Sequence, residues 1–323
     1  SYGLLDACIY VIPIYHFCKY GREFLCFLLN FEVIIMLTYE DLLNELLGFD
    51  RELFADKIEQ FIREYVKKSG AKKCVIGLSG GVDSSTVLAL TVNAVGAENV
   101  IALLLPHSGI TPEVDISDAL KLADKFGVEH KIIYIDPIAS SVKSSLEAQN
   151  FGVDRIVYGN IQARIRMILL YAVSNYYNGL VVGSGDKSEI LIGYFTKYGD
   201  GGVDILPIGD VYKLQVRELA RYLGVPENIA YKPSSPRLWP GQEAASELGV
   251  DYKDIDPILY ALIEHGLPPE EVKKIDGIRA DIVDLIVKRI VTNEHKRQFP
   301  KIPKLQRGMT VGIDWKMPLW MSM

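Results

Sequence analysis

The sequence predicts an α/β fold: a single catalytic domain with a doubly wound, mostly parallel sheet and helices on both faces. Two observations lead to this class. Short apolar runs alternate with helix-length segments from residue 51 to about residue 183, which is typical of parallel sheets. The chain has 323 residues, of which 49% are hydrophobic and 24% charged, so it can bury a large core.

The first half of the chain supplies the alternation. Apolar residues at helical spacing predict a helix over 51–68, which Ser69 and Gly70 end. Four apolar runs predict strands at 74–78, 100–105, 130–135 and 180–183. Helices are predicted between them at 86–94, at 113–126, from 136 onward and at 160–178. The carboxyl ends of such strands share one edge, so the loops after residues 78, 105 and 183 should converge on one site.

The second half is predicted to be helical, with two loop regions. Amphipathic segments predict helices at 212–223, 254–265 and 278–293. A glycine-rich, charged region spans 183–204, and a proline-rich stretch at 232–242 is interpreted as a mobile lid.

The loop after the first strand has the composition of a phosphate site. It reads Ser79-Gly80-Gly81-Val82-Asp83-Ser84-Ser85 and leads into a helix. Backbone N–H groups at a helix start, together with the helix dipole, favour an anion there. The loop lacks the Gly-Lys-Ser/Thr ending of a Walker loop and the spacing of a dinucleotide fingerprint. Asp83 would repel phosphate unless a divalent cation lay between them, so we expect it to bind Mg²⁺.

Charge and cysteine content limit the function classes. The net charge of −6 argues against a general nucleic-acid surface. The chain has four cysteines, Cys8, Cys18, Cys26 and Cys74, and they form no Cys-x-x-Cys pair. This spacing does not support a metal cluster or a redox motif, and it suits a protein of the reducing cytoplasm. No run reaches the length of an uncharged membrane span.

The two ends differ from the centre. Residues 1–35 hold three of the four cysteines, yet their apolar residues show no clear helical or strand periodicity. We expect 1–35 to be an atypical extension that is not native to the functional protein. The catalytic domain is then 36–300, followed by a tail at 301–323.

Five segments together resemble the ammonia-dependent NAD synthetases. They are residues 79–85, 159–166, 183–189, 193–204 and 294–298. The first is shared by other N-type ATP pyrophosphatases, whereas the Thr196-Lys197-Tyr198-Gly199-Asp200-Gly201-Gly202 run is far more specific. The resemblance implies an adenine nucleotide alpha hydrolase-like, Rossmann-like fold and a homodimer with its substrate site at the subunit interface. It also implies ATP-dependent amidation of deamido-NAD with ammonia, through an adenylated intermediate, releasing AMP and pyrophosphate.

The resemblance assigns roles to particular positions. The ATP contacts carry over to Gly77, Leu78, Ser79, Gly80, Gly81, Val82, Asp83, Ser84, Arg166, Ser184, Lys213 and Ser234. Asp83 and Glu189 are the expected Mg²⁺ ligands. The deamido-NAD contacts carry over to Tyr65, Asn160, Arg164, Lys197, Asp204, Glu247, His295 and Lys296. The expected catalytic residues are Asp200, Lys197 and Lys213, with Asp200 placed to take a proton from ammonium.

Two other readings stay open. One is another ATP-pyrophosphatase amidotransferase resembling GMP synthetase, or a tRNA-modifying relative. The other is a nucleotide-binding protein that has lost catalysis, although the retained Asp83 and Glu189 argue against it. The segment Glu243-Ala244-Ala245-Ser246-Glu247 departs from the family's acidic stretch, which puts the lid contacts in doubt. Residues 1–35 are too short for a glutaminase domain, so free or delivered ammonia is the expected nitrogen source.

Overall fold

The computed structural model describes residues 37–305 and residue 307. The predicted extension at 1–35 and most of the predicted tail at 301–323 lie outside the described residues. Within the described part, no helix has the length and apolar character needed to cross a bilayer.

A four-stranded, fully parallel sheet forms the centre of the molecule. Its strands are β1 (Cys74–Gly77), β2 (Val100–Leu104), β3 (Glu129–Ile132) and β4 (Leu180–Val182), in the order β3-β2-β1-β4. In the central register Cys74 is opposite Val100 on one side and Leu180 on the other. Ile205 adds a single parallel bridge beside Val182. The predicted fold class is confirmed.

Helices cover both faces of the sheet and build a separate helical layer. They are α1 (Tyr39–Leu47), α2 (Arg51–Ser69), α3 (Val82–Val95), α4 (Glu113–Lys125), α5 (Asp136–Glu147), α6 (Arg155–Tyr177), α7 (Lys187–Ile192), α8 (Lys213–Tyr222), α9 (Glu227–Ala230), α10 (Ala244–Leu248), α11 (Tyr252–Ile263), α12 (Pro269–Val272), α13 (Ala280–Thr292) and α14 (Glu294–Arg297).

The apolar side chains of the strands alternate between the two faces. Ile76 and Leu104 point into a core formed with α2, α3, α4 and α8. Val75, Ile101 and Leu103 point into a smaller core on the opposite face, formed with α5 and α6. A third cluster joins α1, α11 and α13. This alternation buries both faces, as a parallel sheet requires.

The strand order reverses between β1 and β4. The chain moves outward from β1 to β2 and β3, and then returns to place β4 on the other side of β1. At such a switch point the loops after two adjacent strands separate and leave a crevice. The loop that follows β1 and the residues that follow β4 therefore face each other.

The three largest departures from the predicted elements are at α3, α6 and α7. α3 begins at Val82 rather than residue 86, so part of the predicted phosphate loop is the first helical turn. α6 begins at Arg155 rather than residue 160, because Asp154 caps it by accepting from the backbones of Ile156 and Val157. Within the glycine-rich region, 187–192 is helical, since Asp186 caps α7 and left-handed Gly193 ends it.

Candidate active site

Hydrogen bonds from its own hydroxyl groups fix the conformation of the loop between β1 and α3. Ser84 Oγ accepts from the backbone of Ser79 at 3.2 Å and lies 3.0 Å from Ser79 Oγ. Gly81 is the N-cap of α3 and brings no side-chain cap, so the first helical N–H groups face the cavity side. Gly80 adopts a left-handed φ of 77°, which favours glycine. This is the geometry of an anion-binding loop.

A buried lysine lies beside the loop, among three carboxylates. Lys213 Nζ is 2.7 Å from Asp83 Oδ1, 2.9 Å from Glu189 Oε1 and 3.0 Å from Asp186 Oδ2. The Lys213 and Asp186 side chains are fully buried, and those of Asp83 and Glu189 are 21% exposed. Within the described part of the chain, Asp186 Oδ2 makes no aligned hydrogen bond despite this proximity. Acids brought by α3 and α7 thus meet a base from α8.

The excess of acids changes the titration of the cluster. Burial is the main cause that raises the pKa of Asp186 to about 7, and nearby Asp83 adds to it while Lys213 opposes it. Burial likewise raises the pKa of Glu189 well above its usual value. For Lys213, burial alone would lower the pKa, but the three carboxylates outweigh it and raise the pKa well above 10.5. The cluster therefore favours any additional positive charge.

A second layer fixes where Lys213 lies. Its backbone N–H donates to Ser188 Oγ at 2.9 Å, and Ser188 in turn donates to the buried Asp256 at 2.6 Å. Asp256 also accepts from the backbone of Leu214 at 2.8 Å. Burial raises the pKa of Asp256 to about 7. These contacts lock the start of α8 against α7 and α11.

A second acid with nearby bases lies farther along the cavity. The backbone of Thr196 donates to Asp200 Oδ1 at 2.8 Å. Desolvation by the surrounding protein raises the pKa of Asp200, although the residue keeps access to solvent in the cavity. The hydrogen bond from Thr196 and the charges of Lys296 and Arg166 partly offset the rise. Arg166 donates to the carbonyl of Leu105 at 3.0 Å, and Lys296 donates to the carbonyls of Gly193 and Phe195. An acid of raised pKa is suited to accept a proton near neutral pH.

One cavity of about 500 Å³ connects these groups. The loop after β1 and the Glu189 side chain line one part of it, and Asp200 and Lys296 line another. The predicted site residues that line it are Gly77, Leu78, Ser79, Gly81, Val82, Asp83, Asn160, Arg166, Ser184, Glu189, Asp200, Ser234, Glu247 and Lys296. This volume is in the range of small-molecule sites.

The remaining predicted residues are not among those that line the cavity. Gly80, Ser84 and Lys213 lie directly behind it, through the contacts given above. Five others form an outer group, outside the cavity wall: Tyr65, Arg164, Lys197, Asp204 and His295.

The outer group is held by local contacts. Lys197 Nζ donates to the His295 carbonyl at 2.6 Å, and Arg164 donates to the Lys197 carbonyl at 3.4 Å. Asp204 accepts from Tyr171 at 3.1 Å and from the backbone of Val181 at 2.7 Å. The predicted roles of the outer group stay predictions, and so do those of the cavity residues.

Sequence reasoning assigned no role to several residues that the structure brings to the site. Asp186 was visible only as part of the glycine-rich region, although an Asp three residues before Glu189 is a helix-capping signal. Asp256 and Asp115 lie far from any motif, and only the fold carries them to the site. Arg289 lines the cavity with its buried Nε unpartnered among the described residues, and no pattern marked it.

The donor set suits a hard cation. Asp83 and Glu189 direct carboxylate oxygens at the same ammonium nitrogen, and the cluster holds three acids for one base. Oxygen ligands and excess negative charge fit Mg²⁺, which takes few protein ligands and completes its shell with water and phosphate. Within the described ranges, no group of three or more His, Cys, Asp or Glu is arranged to hold a metal ion.

A parallel α/β sheet with an anion-binding loop and an acidic cluster at its switch point defines a nucleotide-binding enzyme. Residues 54–300 match the family model described as NAD synthase. The chain belongs to the NAD synthase family, so the predicted resemblance and the ligase class are confirmed.

Curated relatives support this assignment over most of the chain. The NH(3)-dependent NAD(+) synthetase of Hyperthermus butylicus is 55% identical over 81% of this chain and 94% of its own length. The NH(3)-dependent NAD(+) synthetase of Staphylothermus marinus is 48% identical over 84% and 96% of the two chains.

Solved structures are similar as well. The NH3-dependent NAD synthetase from Campylobacter jejuni is 34% identical with a TM-score of 0.66, covering 79% of this chain and all of its own. An NMN synthetase from Francisella tularensis is 35% identical with a TM-score of 0.71, covering 80% of this chain and all of its own.

Proposed function

We propose that this chain amidates deamido-NAD with ammonia at the expense of ATP, the last step of NAD biosynthesis. The observation that carries the proposal is the single cavity that joins an anion-binding loop to an acid of raised pKa. A chain of the NAD synthase family needs one group to hold the triphosphate and another to receive a proton from ammonium.

The reaction needs two steps. A carboxylate oxygen of deamido-NAD attacks the α-phosphorus of ATP, and pyrophosphate leaves. Ammonia then attacks the adenylated carbonyl carbon, AMP leaves with the bonding electrons, and the amide remains. Here the loop at 79–81 and the start of α3 hold the phosphates, and Ser184 and Ser234 add hydroxyl donors. Asp200 receives the proton that ammonium must lose to become a nucleophile.

Mg²⁺ belongs to this proposal. Asp83 and Glu189 would hold it, and when bound it would screen the phosphate charge from the acidic cluster. Lys213 keeps the two carboxylates at one point and reduces their mutual repulsion. We therefore assign Lys213 an electrostatic role behind the cavity. A catalytic role for Lys197 would require it to leave the carbonyl of His295.

A homodimer completes the proposal. The outer group lies beyond the cavity wall, where a second subunit could complete a dinucleotide site. On the same helix as Arg164, Ile168 and Tyr176 are 59% and 82% exposed. We also propose a cytoplasmic location, as the cysteine content suggests. Sedimentation of the active enzyme as a strict monomer would contradict the dimer.

Product analysis tests the function. The protein is incubated with ATP, Mg²⁺, deamido-NAD and either ammonium or glutamine, and the products are separated by chromatography. We expect NAD, AMP and pyrophosphate in equal amounts with ammonium only. A parallel reaction with the nicotinate mononucleotide is warranted, since one similar structure is an NMN synthetase. Faster turnover of the mononucleotide, or pyrophosphate without NAD, would overturn the substrate assignment.

Asp200→Asn separates the base role from a role in loop structure. If Asp200 takes the proton, we expect turnover with ammonium to fall by about 10²-fold, while ATP binding is retained. Asp210→Asn is the matched control, because its carboxylate is 93% exposed and forms an ion pair with Lys187. Normal turnover by Asp200→Asn would rule out the base role.

A further inference from the structure

The segment 232–242, which we call the roof, closes over the cavity and is anchored to α4. Lys232 Nζ lies 3.0 Å from Asp115 Oδ1, and Arg237 Nε lies 2.8 Å from Asp115 Oδ2. The Asp115 side chain is only 5% exposed. One carboxylate on α4 thus binds the roof at two points, and each of its oxygens accepts from a different base.

Lys232 also joins the roof to the phosphate loop. Besides Asp115, its ammonium group donates to Asp118 Oδ2 at 2.6 Å and to the carbonyl of Gly80 at 2.9 Å. A lysine ammonium has three donors, and here all three have partners. Lys232 is therefore saturated by the protein and holds the roof and the phosphate loop together.

The backbone of Asp115 contacts the same loop. A Cβ added at Gly80 would lie 2.3 Å from the carbonyl oxygen of Asp115, so the phosphate loop is packed directly against the first turn of α4. The side chain of Asp115 fixes the roof, and its backbone limits the position of the loop. One residue accordingly sets the spacing between the two walls of the nucleotide site.

Ser234 lies between the two anchored residues. Its hydroxyl oxygen is buried and has no hydrogen-bond partner in the described part of the chain, although it lines the cavity. A buried hydroxyl without a partner is costly, which suggests that a ligand supplies one. Arg237 holds a left-handed φ of 50°, and its ion pair with Asp115 helps to keep this uncommon conformation.

We infer that Asp115 is a positioning residue for the nucleotide: through Lys232 and Arg237 it holds the Ser234 hydroxyl opposite the phosphate loop. Asp115 is among the residues that line the cavity, but both of its carboxylate oxygens already accept from roof residues, so it acts through those contacts. The inference rests on the proposed function only in taking the ligand to be ATP. The ion network is neutral, with Asp115 and Asp118 balancing Lys232 and Arg237.

Asp115→Asn tests the inference, because it keeps the size of the side chain and removes the charge. We expect the KM for ATP to rise about tenfold and the KM for ammonium to change by less than twofold, since the two substrates use different parts of the cavity. Glu113→Gln is the matched control: it makes the same change two residues away on the exposed side of α4. The inference is wrong if the ATP KM of Asp115→Asn equals that of the control.

The roof position can be followed without turnover. Trp239 is in the roof, so in a full-length chain with Trp315→Phe and Trp320→Phe its fluorescence reports on the roof alone. We expect Asp115→Asn to increase acrylamide quenching of Trp239 at least twofold, and saturating Mg-ATP to restore part of the protection. Unchanged quenching would contradict the inference even if the wild-type protein made no NAD.

A second variant protects the test against misfolding. Arg237 is 27% exposed, so Arg237→Gln removes one anchor with less risk to the core. If both residues act through one network, the double variant Asp115→Asn with Arg237→Gln should raise the ATP KM by less than the product of the single effects. Multiplicative effects would show independent roles and would overturn the inference. Failure of the wild-type protein to make NAD would instead count against the proposed function.

Discussion

Two ion networks flank the cavity, and they differ in charge balance. Around Lys213, three carboxylates share one ammonium group, and two members of the network are fully buried. Around Asp115, two carboxylates meet two bases, and every charge has a partner of opposite sign.

The difference in charge balance distinguishes a network that would gain from a bound cation from one whose charges the protein already neutralises. The Lys213 network keeps excess negative charge in a buried place, which is costly unless a cation arrives or a proton is retained. The Asp115 network has no such excess and binds protein to protein. This difference supports the proposals that the first network binds metal and phosphate and that the second positions the roof.

The largest effect should come from Lys213→Met. Removing the single base leaves three acids close together, and breaking such a buried network costs about 3–5 kcal/mol of unfolding free energy. Urea denaturation at pH 8 measures it. Lys187→Met is the matched control, since Lys187 also bridges two acids, but these are more exposed: Asp210 is 93% exposed and Glu264 is 38% exposed. A loss similar to that of the control, roughly 0–1 kcal/mol, would show that Lys213 is not essential to the cluster.

Glu189→Gln should remove the stabilisation that Mg²⁺ gives in the presence of ATP. A ligand at a hundred times its Kd stabilises the folded state by about 2.7 kcal/mol, so thermal unfolding should show a clear loss. Without Mg²⁺, we expect the variant to be at least as stable as the wild type, because one excess acid is gone. An unchanged Mg²⁺ shift would exclude Glu189 as a ligand.

Lys232→Met tests the balanced network and should cost less. It removes from Asp115 and Asp118 the ammonium group of a side chain that is 14% exposed, but Arg237 still balances the charge of Asp115. We expect a smaller destabilisation than that of Lys213→Met. The stabilisation that Mg²⁺ gives in the presence of ATP should fall only as far as ATP binding weakens. If Lys232→Met proved more destabilising than Lys213→Met, the comparison between the two networks would fail.

The pH dependence of the unfolding free energy should show the smallest effect, counted per pH unit. Burial raises the pKa of Asp186 from 3.8 to about 7, so between these values the folded protein holds a proton that the unfolded chain releases. The stability from this group is present below pH 3.8 and is lost as pH rises through about 7, by at most about 1.4 kcal/mol per pH unit. Asp186→Asn should lack this part of the slope in urea titrations without Mg²⁺. Parallel curves for the two proteins would contradict it.

Much of the fold followed from local patterns. The apolar runs that became β1, β2 and β4 are short and buried, so their hydrophobicity is a strong signal. β3 is an edge strand with an exposed pattern; it was predicted at 130–135, but it begins one residue earlier and ends three residues earlier. α7 was hidden, since a six-residue helix between glycines resembles a loop until the Asp186 cap is identified.

By itself, the sequence determined the fold class, the phosphate loop and the family, because these depend on residues that are adjacent in the chain. Only the tertiary structure decided which charges meet. Lys213 reaches Asp83 across 130 positions, and Lys232 reaches Asp115 across 117. A charged residue alone on a helix has the same local pattern whether it faces water or a buried partner. The pairing depends on which helices pack together, and that is set by the sheet order and the cores on its two faces.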